Sequence, residues 1–153
     1  MTIKFIIKAI PSSKFSEQLS QNLAHDAKWI NVEGDSGYPC RVSLIDAKIG
    51  ERVLALSFCH HDVSSPYKAS GPIFIREKAI TAQLNVNEIP SVLLNRLLSL
   101  RAYNVDHMMI GAEVVQGNEV SLAITEQFMN EDVAYIHIHN ARPGCFSCAV
   151  YRA

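Results

Sequence analysis

The side chains with the most obvious chemical capability lie near the carboxyl end of the chain. Tyr135, His137 and His139 occupy every second position of one alternating segment, and Cys145 begins another. Alternate residues of a strand point to the same face, so the phenol and the two imidazoles are expected to share one. An imidazole is a general base or a metal ligand, and a thiol beside it is a nucleophile or a second ligand.

The loop between these segments, residues 140–144, has the length of a common hairpin connection. Placing His139 opposite Cys145 makes one face of the hairpin wholly apolar, whereas a slip by one residue would bury histidine among isoleucines. In this register Cys148 points into the core and away from Cys145, despite their CxxC spacing. The predicted apolar pairs are Ile138 with Phe146, Ile136 with Cys148, and Ala134 with Val150.

One interpretation of the polar face is a zinc site. A mixed nitrogen and sulfur shell suits zinc, and its predicted ligands are Cys40, His137, His139 and Cys145. On this interpretation the protein is a zinc-stabilised, non-enzymatic structural or interaction domain.

A second interpretation is an enzyme or binding protein for a small anionic ligand, since guanidinium groups suit carboxylate and phosphate. The proposed catalytic residues are Cys145, or alternatively Cys40, as nucleophile, with His137 or His139 as base. The predicted ligand-binding residues are Cys40, Arg41, Tyr67, Arg76, Arg101, Tyr103 and Arg142.

The alternative for any single arginine or histidine is a structural role, such as pairing with Glu51 or Asp106. His60 and His61 are expected to be solvated residues of a long loop over 60–72. A third interpretation is a protein interaction module, whose partner would bind residues 63–72 of this loop or an edge strand.

The elements that must position these residues indicate an α+β fold. We expect a mostly antiparallel sheet of about six or seven strands, either open or barrel-like, with two principal helices. One helix follows from the spacing of Phe15, Leu19 and Leu23, and the other from Val120, Ala123, Ile124 and Phe128. Strands are expected over 2–9, 51–59, 73–76, 108–115, 133–139 and 145–152, and around Arg101 and Tyr103.

Composition narrows the class of protein. The 153 residues match the size of one domain, 1–153, and the net charge of −1 provides no field that would attract nucleic acid. No run approaches the roughly 20 apolar residues of a membrane span, and the first ten residues do not resemble a signal peptide. Four cysteines are then more typical of cytoplasmic thiols than of disulfides.

Several short motifs give the chain a family resemblance. They are residues 38–41, 50–51, 66–67, 71–74, 101–103, His137, 140–145 and 152–153. On these motifs the whole chain resembles an uncharacterised bacterial family known as domain of unknown function 1203, which implies one compact domain and no particular reaction. Relatives often carry a second cysteine three residues after the one matching Cys40, where this chain has Ser43, a poor zinc ligand.

Overall fold

Two antiparallel sheets form the framework of the computed structural model, which describes residues 2–20 and 26–153. The larger sheet has the strand order β1-β8-β7-β5-β6 and the smaller one β2-β3-β4. The strands are β1 (Phe5–Lys8), β2 (Ala27–Asn31), β3 (Arg52–His61), β4 (Ala69–Arg76), β5 (Leu97–Tyr103), β6 (Met109–Gln116), β7 (Tyr135–Asn140) and β8 (Phe146–Arg152).

Helices cover one face of the larger sheet. They are α2 (Ser91–Leu94) and α3 (Val120–Phe128), whereas α1 (Ser16–Ser20), which continues a 3-10 turn over Ser12–Phe15, packs with the smaller sheet through Phe15 and Leu19. The four apolar residues that predicted α3 are all buried, and they pack with α2 against the sheet. The sheet side of this first core includes Leu98, Leu100, Ile136, Ile138, Cys148 and Val150. Helical spacing therefore identified the correct face of α3.

The smaller sheet packs on the opposite face of the larger one. Leu54, Leu56, Ile73 and Ile75 point from β3 and β4 toward Phe146 and Ala149 of β8, and form a second core. Cys40 and Val42, from the irregular segment before β3, close one side of it. The larger sheet is therefore covered on both faces.

The expected fold class is confirmed at the level of α+β with a mostly antiparallel sheet. The predicted single sheet of six or seven strands is corrected, because eight strands of the described chain are divided between two sheets, and these do not close into a barrel. Phe15 and Leu19 lie in the first helical segment, whereas Leu23 falls outside the described residues. Across residues 2–20 and 26–153, no helix has the length and apolar character that crossing a membrane requires.

The hairpin of β7 and β8 forms as predicted, but in a different register. Ile136 pairs with Val150, Ile138 with Cys148 and His139 with Phe146, and a β-bulge interrupts the ladder beside His139. The bulge adds one residue of β8 between Cys148 and Phe146, so Phe146 turns away from the first core and into the second. Cys148 keeps its predicted core position, and Asn140 rather than His139 bonds the backbone of Cys145.

The predicted loop over 60–72 is also corrected. Strand β3 extends through His61, and β4 begins at Ala69, so the connection is much shorter than expected. A bulge lies between Cys59 and His61, and His61 is 3% exposed. The paired histidines are thus strand residues at the edge of the intersheet space.

A close backbone approach joins α2 to the segment after β6. A Cβ atom built on Gly117 would lie 1.8 Å from the carbonyl oxygen of Leu93. The Gly117 amide also donates a hydrogen bond to the carbonyl oxygen of Arg96 at 2.8 Å. The contact leaves room only for glycine.

We therefore expect Gly117→Ala to lower the free energy of unfolding by about 2 kcal/mol or more, because the backbone must separate to admit a methyl group. Urea unfolding followed by circular dichroism measures the change. The matched control is Gly34→Ala, where the new Cβ meets nothing within 4 Å. Equal stability of the two variants would show that the approach of α2 is not a constraint.

Candidate functional site

A cavity of about 440 Å³ opens where the β7–β8 turn meets the start of β5 and the end of β6. Its walls combine arginine, amide and thiol groups with proline and large apolar side chains. They are Ser36, Gly37, Pro39, Arg41, Pro72, Ile73, Phe74, Asn95, Arg96, Leu97, Gln116, Asn140, Arg142, Pro143 and Cys145. We call this cavity the arginine pocket.

Arg41 is the deepest polar residue of the arginine pocket, with 1% of its surface exposed. Its Nε donates to the carbonyl of Phe146 at 2.6 Å and its Nη1 to the carbonyl of Pro39 at 2.5 Å. Burial lowers the pKa of the Arg41 guanidinium, with the nearby Cys145 and Cys40 thiols opposing the shift. An arginine keeps its proton at any physiological pH, so a positive charge is buried here.

The charges around Arg41 do not balance. None of the described residues that line the pocket is acidic, and no described carboxylate pairs with Arg41. Arg96 is neutralised by Asp46 through contacts of 2.6 and 3.1 Å. Arg142 is exposed at the hairpin turn. The pocket therefore has an excess of positive charge.

Cys145 lines the same pocket, between Gly144 and the first residue of β8. Gly144 has φ +82° and donates its amide to the Asn140 carbonyl, which places the turn in a conformation that favours glycine. The side-chain amide of Asn140 donates to the Cys145 sulfur at 3.5 Å. The Nδ1 of His139 instead faces the Gly144 carbonyl at 3.0 Å.

A second polar group, the intersheet histidine cluster, lies between the two sheets. It contains His60 and His61 at the end of β3, and His137 and His139 on β7. The Phe146 ring stacks on His60 with centroids 5.1 Å apart and also contacts His137 and His139. The bulges in β3 and β8 thus bring these rings together.

One histidine of this cluster, His61, has both ring nitrogens in hydrogen bonds. His61 Nδ1 lies 2.8 Å from the Tyr67 carbonyl, which only accepts, so this nitrogen carries the proton. Its Nε2 then accepts from the Tyr135 hydroxyl at 2.6 Å, and that oxygen accepts from His107 Nδ1 at 2.8 Å. Burial raises the pKa of Tyr135 to about 12, which keeps its phenol a donor.

The other three histidines of the cluster each have a ring nitrogen without a hydrogen-bond partner. His60 Nδ1, His137 Nδ1 and His139 Nε2 are buried without a hydrogen bond. Burial lowers the pKa of His60 to about 4, that of His137 to about 3 and that of His139 to about 4. All three imidazoles are therefore neutral at physiological pH. Arg101 and the neighbouring imidazoles add to the shift of His137.

The structure divides the predicted site residues among several environments. Arg41, Arg142 and Cys145 line the arginine pocket. Tyr103 contacts His137 and Tyr67, and the charge of Arg101 acts on the same histidines. Arg76 instead pairs with Glu51 at 2.7 Å.

Cys40 is fully buried, and its sulfur accepts hydrogen bonds from the amides of Ser43 and Arg76. Neither Cys40 nor Cys145 joins the group of potential metal ligands in the described residues, which is His60, His137 and His139. The two predicted cysteine ligands, Cys40 and Cys145, are therefore not grouped with the histidines that could hold a metal ion.

Sequence analysis did not identify some residues of the arginine pocket, or some residues of the intersheet histidine cluster and its hydrogen-bond partners. His60, His61, His107, Asn140 and Arg96 were not predicted to contribute. The adjacent histidines at the end of a buried apolar run were the available signal for β3 continuing to His61. No local pattern indicates that Arg96 or Asn140 faces a cavity.

A family model described as "Protein of unknown function (DUF1203)" matches residues 37–152. This chain belongs to the DUF1203 family. The matched region holds every residue of the intersheet histidine cluster and all the lining residues of the arginine pocket except Ser36. No curated protein and no solved structure matches the DUF1203 chain.

Acid should destabilise the metal-free protein in a defined pH window. Unfolded histidine binds a proton near pH 6.5, whereas folded His60, His137 and His139 stay neutral down to about pH 4, 3 and 4. Between these values the unfolded state binds more protons, so the free energy of unfolding falls as the pH drops, by on the order of 2 kcal/mol per histidine at about pH 5.

Urea unfolding in the presence of a chelator, at steps from about pH 7 to about pH 5, measures this loss. Carboxylates titrate mainly below this window, and Glu51 and Glu77 have lowered pKa values. A free energy of unfolding that stays constant over the window would contradict the burial of three neutral imidazoles.

The cysteines should differ in their rate of alkylation. Cys145 is partly exposed, whereas Cys148 is fully buried and burial raises its pKa to about 12. The thiolate is the reactive form, so we expect iodoacetamide to modify Cys145 faster than Cys148 in the native state. Peptide mass spectrometry after brief labelling reports both rates, and faster labelling of Cys148 would overturn this assignment of the hairpin faces.

Proposed function

We propose that this protein binds a small organic anion in the arginine pocket. The observation that supports the proposal is the buried Arg41, whose guanidinium has carbonyl partners and no described carboxylate partner. Burying a charge without a counter-charge is costly. An anionic ligand would supply the missing negative charge.

The polar groups around Arg41 suit carboxylate or phosphate. Arg142 lies at the exposed hairpin turn, where it can approach a bound anion from the solvent side. Arginine forms charge-assisted, often bidentate hydrogen bonds with both kinds of anion. The Oδ1 of Asn140 is buried without a partner, which adds an acceptor for a ligand hydroxyl or amine.

The remaining walls suit the organic part of such a ligand. Ile73, Phe74 and Leu97, with three prolines, form apolar surface in the pocket. The volume of about 440 Å³ lies within the usual range of small-molecule sites. A ligand with one anionic group and a compact apolar body therefore fits the lining better than a bare inorganic ion.

The geometry supports binding more strongly than cysteine catalysis. The predicted nucleophile and base pair needs an imidazole within hydrogen-bond reach of the thiol, whereas the Cys145 sulfur accepts from the Asn140 amide. His139 has its Nδ1 against the Gly144 carbonyl. We therefore assign Cys145 to the lining of the ligand site rather than to a nucleophile and base pair.

The test is thermal stabilisation by a panel of carboxylates and phosphate esters, paired with uncharged amides of the same carbon skeletons. We expect some anions, but not their amides, to raise the melting temperature in proportion to ln(1 + [ligand]/Kd). Calorimetric titration of the best anion should show binding about 10- to 100-fold weaker in Arg142→Gln, from the loss of one charge-assisted hydrogen bond.

The matched control is Arg52→Gln, which removes an exposed arginine paired with Glu77 outside the pocket and should leave the affinity unchanged. Arg41→Lys retains the charge but not the planar fork, and should weaken binding if it folds. Unaltered affinity in Arg142→Gln, or equal stabilisation by the amides, would refute the proposal.

A further inference from the structure

We propose that His60, His137 and His139 form a binding site for a zinc ion between the two sheets. The three side chains come from strands of both sheets, and one ring nitrogen of each lies within 4.8 Å of those of the other two. The site is distinct from the arginine pocket, none of whose lining residues it includes.

Zinc binding requires the three ring nitrogens to move closer together. Zinc binds imidazole nitrogen at about 2.0–2.1 Å, which puts tetrahedral ligand atoms roughly 3.4 Å apart. The three nitrogens would therefore approach one another by up to about 1.4 Å, a movement that rotations of the rings supply.

The tautomer of His139 is already the one that zinc binding needs. Because the Gly144 carbonyl can only accept, the Nδ1 of His139 carries the proton and its Nε2 has a free lone pair. A metal-bound histidine usually donates its other N–H to a carbonyl or carboxylate in this way. The Nε2 of His139 is also one of the buried atoms without a partner.

The contrast within the histidine cluster strengthens the assignment. His61 has both ring nitrogens in hydrogen bonds, and His107 donates to Tyr135. Each of His60, His137 and His139 instead keeps one buried nitrogen unsatisfied, although such a group ordinarily costs about 1–3 kcal/mol. His137 and His139 are 5% and 2% exposed, so bulk water does not solvate them.

The charge of the surroundings determines what completes the zinc shell. Three neutral imidazoles leave the ion with its full double charge, and the charged neighbours are Arg101 and Arg41. Zinc with three protein ligands normally keeps an open fourth position for water, hydroxide or another anion. The site is therefore of the open kind, and its fourth ligand is expected to be anionic.

The experiment uses the full chain without an affinity tag. Competition with a chromophoric chelator should show one tightly bound Zn²⁺ per chain, and Co²⁺ in its place should give the intense visible absorption of tetrahedral coordination. His60→Gln, which changes the least buried of the three ligands, should weaken zinc binding by about 10- to 100-fold or more. His107→Gln is the matched control and should bind zinc as the natural protein does.

A second measurement needs no variant. X-ray absorption at the zinc edge should show three imidazole ligands and no sulfur, whereas a cysteine site would show sulfur at about 2.3 Å. Sulfur in the first shell, absence of stoichiometric zinc, or unchanged affinity in a folded His60→Gln protein would each overturn the proposal. Arg142→Gln should retain zinc, which separates this site from the anion pocket.

Discussion

The hydrogen bonds of the buried Arg41, from its guanidinium and its backbone, connect its own segment to three parts of the chain that are distant in sequence. Its side chain donates to the carbonyls of Pro39 and Phe146, and its backbone bonds both Phe74 and Ile10. Hydrogen bonds from a charged donor are worth about 1.5–3 kcal/mol each. They position the segment before β3 against the hairpin turn, so the edge of the smaller sheet and the carboxyl end of β7 meet at one place. The arginine pocket is the space that this meeting leaves.

The space between the two sheets is apolar in one region and contains polar aromatic rings in another. Toward one side it is apolar, with Leu54, Leu56, Ile73 and Ile75 packed on Ala149. Toward the other it is filled by imidazole and phenol rings. Aromatic rings of this kind fill volume as apolar groups do, yet they keep polar edges that must find partners. Within this one packed layer, His61 has hydrogen-bond partners for both ring nitrogens, whereas His60, His137 and His139 each have a buried ring nitrogen without a partner. This difference distinguishes the two groups of histidines chemically.

The hairpin turn contributes to both candidate sites. The carbonyl of Gly144 orients His139, and Cys145 lines the arginine pocket. Phe146 uses its carbonyl for Arg41 and its ring for His60. These three residues therefore contact both candidate sites. The bulge in β8 makes this double role possible, because it turns the Phe146 ring toward the smaller sheet.

The elements whose periodicity is local were predicted from the sequence. The buried face of α3, the alternation of β7 that places His137 and His139 together, and the core position of Cys148 all follow from spacing along the chain. These predictions succeeded because burial acts on each residue according to the face on which it lies. The family relationship was also readable from short motifs within residues 37–152.

The tertiary structure alone decided which of these residues meet. The bulges in β3 and β8 break the period of two, so no alternation rule indicates that His60 and Phe146 face the histidines of β7. Cys40 and Cys145 have similar sequence surroundings of proline and arginine, yet one sulfur is buried among backbone amides and the other lines a cavity. The split into two sheets depends on pairing between distant strands, and that pairing is set by how whole faces pack together rather than by any local pattern.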